Sequence, residues 1–116
     1  MLVKLTKDTT FDNHSIRSLT IGRVYVVIGI EANDYRILSD NNEPYIYDHV
    51  CFEVIDASEP EFWECKTGDE GERYCYPCEL GKPGFFEDYH DGVPDARSKF
   101  WAVYQDLYGM FGKSGV

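Results

Sequence analysis

Residues 24–31 read Val-Tyr-Val-Val-Ile-Gly-Ile-Glu and contain the longest apolar run of the chain. Alternate residues point to opposite sides of a strand, so the even-numbered ones, Val24, Val26, Ile28 and Ile30, would share one side. The run is far shorter than the ~20 residues that a helix needs to cross a bilayer. It therefore predicts a β-strand, with Val24, Val26 and Ile28 in the core.

Short strands and turns surround this run and make residues 18–55 a compact β unit. In chain order we predict a turn at 32–34, a strand at 35–39, a hairpin turn at 40–42, a strand at 45–47 that begins after Pro44, a turn at 48–50 and a closing strand at 51–55. Strands of this length and spacing indicate a small barrel. We expect its core to include Ile37, Ile46, Phe52 and Val54.

Four stretches of the unit carry a family resemblance: residues 19–27, 35–37 with Asp40, 43–45 and 52–54. Their rhythm of turns and strands resembles that of the SH3-like barrels of small bacterial and phage proteins. The resemblance covers residues 18–55, about a third of the chain, and implies an SH3-like small β-barrel. It implies no functional residue, because SH3-like barrels serve unrelated functions.

Residues 57–92 form an acidic segment. They carry ten acidic and three basic side chains, so most of the net charge of −10 lies there. The stretches 62–65 and 73–76 predict a hairpin around the glycine-bearing loop 67–72. Residues 80–92, which contain three glycines and Pro83, predict an irregular loop.

Residues 94–108 predict a C-terminal helix. Pro94 suits a first helical position, and Asp95 places a negative charge in the first turn, where the helix dipole favours it. Four apolar residues at helical spacing would dock on the barrel: Ala96, Phe100, Val103 and Leu107. The chain, 1–116, is thus expected to be a single, mainly β domain with a C-terminal helix.

The charge balance limits the classes of partner. With 21 acidic against 11 basic residues, the chain lacks the positive footprint that nucleic-acid backbones and anionic membranes require. The natural electrostatic complement is a basic protein partner. Residues 1–8 show no apolar stretch of a signal peptide, so a cytoplasmic location is expected.

The leading hypothesis is a non-enzymatic binding protein whose acidic, aromatic surface engages that partner. An immunity or antitoxin-like inhibitor is one form, and a nucleic-acid mimic is another. The candidate partner-binding residues are Trp63 and Phe86 as anchors, with Glu70, Glu72, Glu87 and Asp88 as charges. The alternative for the rings is that they cover the barrel and only the acids are displayed.

The competing hypothesis is a zinc-binding or dithiol-redox domain built on Cys65, Cys75 and Cys78. A C-x-x-C pair can chelate zinc, and Cys51 or His90 could complete the set. A second closely spaced ligand pair is missing, however, and zinc sites usually have two. We therefore expect four reduced thiols, no bound metal and no cofactor.

The stretch 87–91, Glu-Asp-Tyr-His-Asp, combines carboxylates with an imidazole and could bind a divalent metal or perform acid–base chemistry. Carboxylates crowded in a loop more often form a solvated acidic face. No nearby residue supplies a nucleophile, so catalysis is not expected. His14 and His49 are solitary, and His14 is expected to be exposed.

Overall fold

The computed structural model describes residues 1–9 and 15–109, and His14 lies outside them. A short 3-10 helix, His49–Cys51, precedes the fifth strand. The strands are β1 Leu2–Leu5, β2 Val24–Glu31, β3 Asp34–Leu38, β4 Pro44–Tyr47, β5 Phe52–Asp56, β6 Trp63–Thr67 and β7 Arg73–Pro77; the α-helices are α1 Phe85–His90 and α2 Pro94–Tyr108. The predictions of a mainly β chain and of a C-terminal helix over 94–108 are confirmed.

All strand pairings are antiparallel, and β2 is the central strand. The strand order is β4-β3-β2-β1-β5, and β7 pairs both with the end of β2 and with β6. Within the described ranges, β4 and β5 each pair with one strand. The sheet is therefore not closed, and the predicted barrel is not confirmed.

A β-bulge in β2 changes which residues face the core. Val27 pairs with Ile37 of β3, and Gly29 pairs with the next residue, Arg36, so Ile28 is the extra residue. Tyr25 and Val27 consequently share one apolar cluster with Ile30, while Ile28 joins another. The prediction that Val24 to Ile30 present their even-numbered side chains to one side is wrong, because a bulge reverses the alternation.

The core has two parts, one on each face of the sheet. The sheet cluster contains Val3, Leu5, Tyr25, Val27, Ile30, Tyr35, Ile37, Tyr47, Cys51, Trp63 and Cys75. The helix cluster lies where α1 and α2 cover the other face, and contains Ile28, Leu80, Phe86, Tyr89, Ala96, Phe100, Val103, Tyr104 and Tyr108. Because helices cover one face, β2 is buried on both sides, which explains its nearly unbroken apolar sequence.

The burial predictions had mixed outcomes. Ile28 and Ile37 are buried, as predicted, whereas Val26, Ile46 and Phe52 are half-buried. Val24 is 39% exposed and Val54 is 43% exposed, so both predictions of burial are wrong. Val54 lies on β5, which has β1 as its one described neighbour and leaves four of its five residues exposed.

Two elements were not predicted from the sequence. Strand β1 pairs with both β2 and β5 and buries Val3 and Leu5. Helix α1 lies inside the stretch predicted as an irregular loop and buries Phe86 and Tyr89 on one side. A helix of six residues is too short to show a clear apolar period, and the turn signals of Pro83 and Gly84 dominate there. Among the described residues, no helix is long and apolar enough to cross a membrane.

Phe100 tests the docking of α2 on the sheet. Its side chain is 0% exposed and packs edge-on against Phe86 and Tyr89. Phe100→Ala should lower the free energy of unfolding by about 3–5 kcal/mol, because it leaves a cavity in the helix cluster. Ser98→Ala, at an exposed position of the same helix, is the matched control and should change it by less than about 0.5 kcal/mol. Urea unfolding measures both, and equal effects would contradict this packing.

Candidate functional site

The carboxylates of the acidic segment are directed to solvent. Nine of its ten acidic residues are exposed, and Glu72 is half-buried. In the described part of the chain, Glu59 alone of the ten forms an ion pair, with Arg73. Glu72 has a local role as well, since its carboxylate accepts a hydrogen bond from the Glu70 N–H at 3.1 Å. Glu70, Glu87 and Asp88 remain as exposed charges available to a partner.

The two predicted aromatic anchors are in the core. Trp63 is 7% exposed, and its indole N–H donates to the Tyr108 hydroxyl at 2.9 Å. That hydroxyl donates in turn to the Ile28 carbonyl oxygen at 2.6 Å. Phe86 of α1 is 8% exposed and packs within the helix cluster. Rings in these positions present little surface to a partner, so the alternative that they cover the sheet describes both of them.

A network around Arg36 fixes the strands beneath the acidic segment. The buried guanidinium donates to the Tyr76 hydroxyl at 3.0 Å, to the Pro44 carbonyl oxygen at 2.7 Å and to Glu31 at 3.2 Å. The Tyr76 hydroxyl donates to the same Glu31 oxygen at 3.0 Å, and burial raises the pKa of Tyr76 well above its usual value. The guanidinium also lies 3.9 Å from the centre of the Phe86 ring.

The Tyr76 ring of this network packs against β2 at a position that only a glycine, Gly29, can occupy. A Cβ atom at Gly29 would collide with the Tyr76 ring and would lie 2.8 Å from the Cys75 carbonyl oxygen. The close approach of β7 to β2 therefore depends on the missing side chain. This contact sets the position of the β6–β7 hairpin on the sheet.

The hairpin places Cys65 and Cys75 in a disulfide. The two residues are directly opposite in the β6–β7 register, with Cα atoms 4.1 Å apart. The prediction of four reduced thiols is therefore wrong for this pair, while Cys51 and Cys78 are free. The close spacing of Cys75 and Cys78 suggested a zinc-chelating pair, but the facing positions of Cys65 and Cys75 on antiparallel strands bring those two residues close enough to bond. Counting outward from the predicted loop 67–72 sets Cys65 opposite Tyr74, one residue short of Cys75, because Thr67 belongs to β6 and pairs with Arg73.

Arg73 lies beside the disulfide. Its guanidinium donates to both carboxylate oxygens of Glu59, at 2.7 and 2.8 Å. Its Nη2 also lies 3.3 Å from Cys75 Sγ and 3.6 Å from Cys65 Sγ. The hydrogen bonds from Arg73 hold the pKa of Glu59 below its usual value, and Glu59 raises the pKa of Arg73. Glu59, Arg73 and the two sulfurs thus form one contiguous group.

The zinc hypothesis does not fit this arrangement. Ligand atoms of Glu59, Cys65 and Cys75 lie within 4.8 Å of one another, a spacing that a metal could use. The Arg73 guanidinium already contacts all three residues, and sulfurs bonded to each other are not the thiolates that zinc requires. Cys78 is not part of the group. A metal ion would have to displace Arg73 and follow reduction of the disulfide.

Two other groups of ionisable residues are structural. His49 Nδ1 lies 2.8 Å from Asp34 Oδ1, and Asp48 accepts from the Val50 N–H, so half-buried Asp34 and Asp48 and exposed His49 close the turn before β5. The stretch 87–91, for which catalysis is not expected from the sequence, lies on the last part of α1 and its C-cap. His90 stacks on the Tyr45 ring with 5.3 Å between ring centres, whereas Glu87 and Asp88 are directed to solvent. These placements leave the stretch without a convergent catalytic geometry.

A groove on the β6–β7 hairpin was not anticipated from the sequence. It has a volume of about 380 Å³, and Lys66, Lys82, Tyr74 and Tyr76 are among the residues that line it. Lys66 and Tyr74 are cross-strand partners, so alternation places them on the hairpin face opposite the Cys65–Cys75 disulfide. Two of the three bases of the acidic segment therefore lie together.

Comparison of the chain with protein families, curated proteins and solved structures finds no match.

Thiol titration tests the cysteine assignment. Cys78 is exposed and should react at once with an aromatic disulfide reagent. Cys51 is buried, its S–H donates to the Thr9 carbonyl oxygen at 3.4 Å, and burial raises the pKa of its thiol. We therefore expect about one reactive thiol in the native protein, about two in denaturant and about four after reduction. Cys78→Ser should remove the native reaction. Four thiols in unreduced, denatured protein would refute the disulfide.

Removing the disulfide should lower stability. Cys65 and Cys75 are separated by 10 residues, and closing such a loop restricts the unfolded chain by about 3 kcal/mol. Cys65→Ser opens the bond at the exposed partner and leaves buried Cys75 in place. Its free energy of unfolding, measured with urea, should fall by about 2–4 kcal/mol. The matched control, Cys78→Ser, should change it little, and equal effects of the two variants would refute a stabilising bond.

Proposed function

We propose that this protein is a non-enzymatic binding protein that holds a basic macromolecular partner through the acidic surface of residues 57–92. The observation that supports the proposal is the display of carboxylates in this segment, where nine acidic residues are exposed and Glu59 alone is ion-paired within the described ranges. Charges left without an internal partner contribute little to the fold, and they create a field that attracts positive surfaces.

Two forms of this function have the same electrostatic requirement. An immunity or antitoxin-like inhibitor would cover the basic nucleic-acid-binding site of a toxic enzyme. A nucleic-acid mimic would occupy the equivalent site of a DNA-binding protein. In both, Glu70, Glu87 and Asp88 supply charge in place of phosphates. Trp63 and Phe86 are buried, but Tyr74 is half-buried, so its aromatic side chain is partly exposed and can contact a partner.

A cytoplasmic location is part of the proposal. The free thiols of Cys51 and Cys78 are consistent with it, whereas the Cys65–Cys75 disulfide fits a reducing compartment only if it has a redox role. The resemblance of residues 18–55 to SH3-like barrels is retained as a proposal about the fold. Consecutive antiparallel strands from β2 to β4 support it, although the sheet is open. Neither point adds a functional residue.

Association kinetics test the acidic surface. Glu70→Gln, Glu87→Gln and Asp88→Asn together remove three exposed charges from the segment. Asp8→Asn, Glu53→Gln and Asp106→Asn remove three exposed charges elsewhere and make the matched control. With a basic partner isolated from the native cells, the first triple variant should associate about three- to tenfold more slowly at low salt and show a flatter salt dependence. The control should keep most of the wild-type rate and slope.

Stopped-flow measurements at about 10 mM and 150 mM salt provide the comparison, because the Debye length falls from about 30 to 8 Å over that range. Circular dichroism should show that both variants fold. If the two triple variants slow association equally, the attraction depends on net charge alone and the segment is not the binding surface. If neither does, the proposal fails. Displacement of nucleic acid from the isolated partner distinguishes the mimic and inhibitor forms from other binding modes.

A further inference from the structure

We propose that the Cys65–Cys75 disulfide is a thiol–disulfide exchange site, where a low-molecular-weight thiol attacks Cys65 and Cys75 leaves as a thiolate stabilised by Arg73. This inference is independent of the acidic surface, because it concerns the group formed by Glu59, Arg73 and the two sulfurs. Three observations carry it: the unequal exposure of the two cysteines, the contacts of Arg73 with both sulfurs, and the shallow packing of β6.

Exposure determines which sulfur is attacked. Cys65 is exposed on β6, which pairs with β7 alone among the described strands, whereas Cys75 is fully buried in the sheet cluster. Trp63 is the one buried residue of β6, and the four residues after it are exposed. An incoming thiolate can therefore reach Cys65 without opening the core. Attack at Cys75 would require the strands to separate.

Arg73 determines which sulfur leaves. A disulfide sulfur leaves faster when its thiolate is stabilised, and a nearby guanidinium lowers the pKa of a thiol. Nη2 of Arg73 lies 3.3 Å from Cys75 Sγ, nearer than its 3.6 Å to Cys65 Sγ. Glu59 holds the guanidinium in place through two hydrogen bonds. The opposite charge of Glu59 weakens the long-range effect of Arg73, but the N–H that is directed at Cys75 still acts at contact distance.

The exchange is balanced in two steps. The thiolate of the small thiol attacks Cys65 Sγ, the Cys65–Cys75 bond breaks, and Cys75 departs as a thiolate. A second small thiolate then attacks the small-molecule sulfur of the mixed disulfide and releases Cys65 as a thiolate. The protein disulfide has gained two electrons, and the two small thiols have been oxidised to their own disulfide. Disulfides in reducing compartments are usually transient or redox-sensing, which matches this chemistry and the proposed cytoplasmic location.

The experiment uses the full chain with Cys78→Ser, so that the exposed thiol does not take part. The protein is mixed with excess 2-mercaptoethanol or, separately, with reduced glutathione. Loss of the disulfide is followed by alkylation and mass spectrometry. Arg73→Gln should slow the reaction about three- to tenfold with both thiols, because the leaving thiolate loses its hydrogen-bond donor. An unchanged or faster reaction of Arg73→Gln would overturn the proposal.

Lys66→Gln is the matched control, since it also removes one positive charge but lies on the opposite face of the hairpin. It should change the rate with 2-mercaptoethanol, whose thiolate carries a single charge, by less than about twofold, which separates contact stabilisation from general charge effects. An equal slowing by Lys66→Gln would refute the role of Arg73. Circular dichroism checks the fold of each variant. Arg73→Lys keeps the positive charge but removes the planar guanidinium. Its disulfide should be reduced more slowly than that of the Cys78→Ser parent protein.

A second measurement needs no substitution at Arg73. Acid quenching early in the reaction traps the mixed disulfide, and peptide mapping locates it. The proposal expects the small thiol on Cys65, in protein that retains its native circular dichroism. A mixed disulfide on Cys75, or a disulfide that resists excess thiol until denaturant is added, would overturn the proposal.

Discussion

The arrangement of the sheet depends on one buried cation, the guanidinium of Arg36. It contacts Glu31 at the end of β2, Pro44 at the start of β4 and Tyr76 on β7, and it lies over the Phe86 ring of α1. A hydrogen bond that involves a charged group contributes about 1.5–3 kcal/mol, so this buried guanidinium favours the arrangement that keeps its partners in place. The strands that supply those partners are therefore fixed relative to one another. The hydrogen bond between Arg36 and Tyr76 sets the position of the β6–β7 hairpin.

The hairpin presents different chemistry on its two faces, because successive residues of a strand point in opposite directions. One face carries the Cys65–Cys75 disulfide with Arg73 nearby, and the other carries Lys66 beside Tyr74. The loop at its tip holds exposed Glu70. A single supersecondary unit thus contains the disulfide and part of the acidic segment, and the disulfide ties the two strands together below that loop.

Most elements with a strong local signal could be predicted. The strands β2 to β5 and the β6–β7 hairpin follow alternation and turn residues, and Pro94 with spaced apolar residues identifies α2. Two elements with weak local signals could not be predicted. Strand β1 has four residues and helix α1 has six, and both are too short to show a reliable hydrophobic periodicity. The exposure of most acidic residues of the segment could be predicted from composition, whereas the burial of Trp63 and Phe86 could not, because a ring in a polar segment does not reveal whether it is buried.

The sequence by itself determined the charge distribution, the class of fold and the local turns, since each depends on residue type and near neighbours. The tertiary structure decided three further points. The bulge at Ile28 decided which face each side chain of β2 occupies. The register of β6 on β7 decided that Cys65 pairs with Cys75 rather than Cys75 with Cys78. The covering helices decided that Phe86 is core. These contacts join residues distant in sequence, and local spacing carries no information about them.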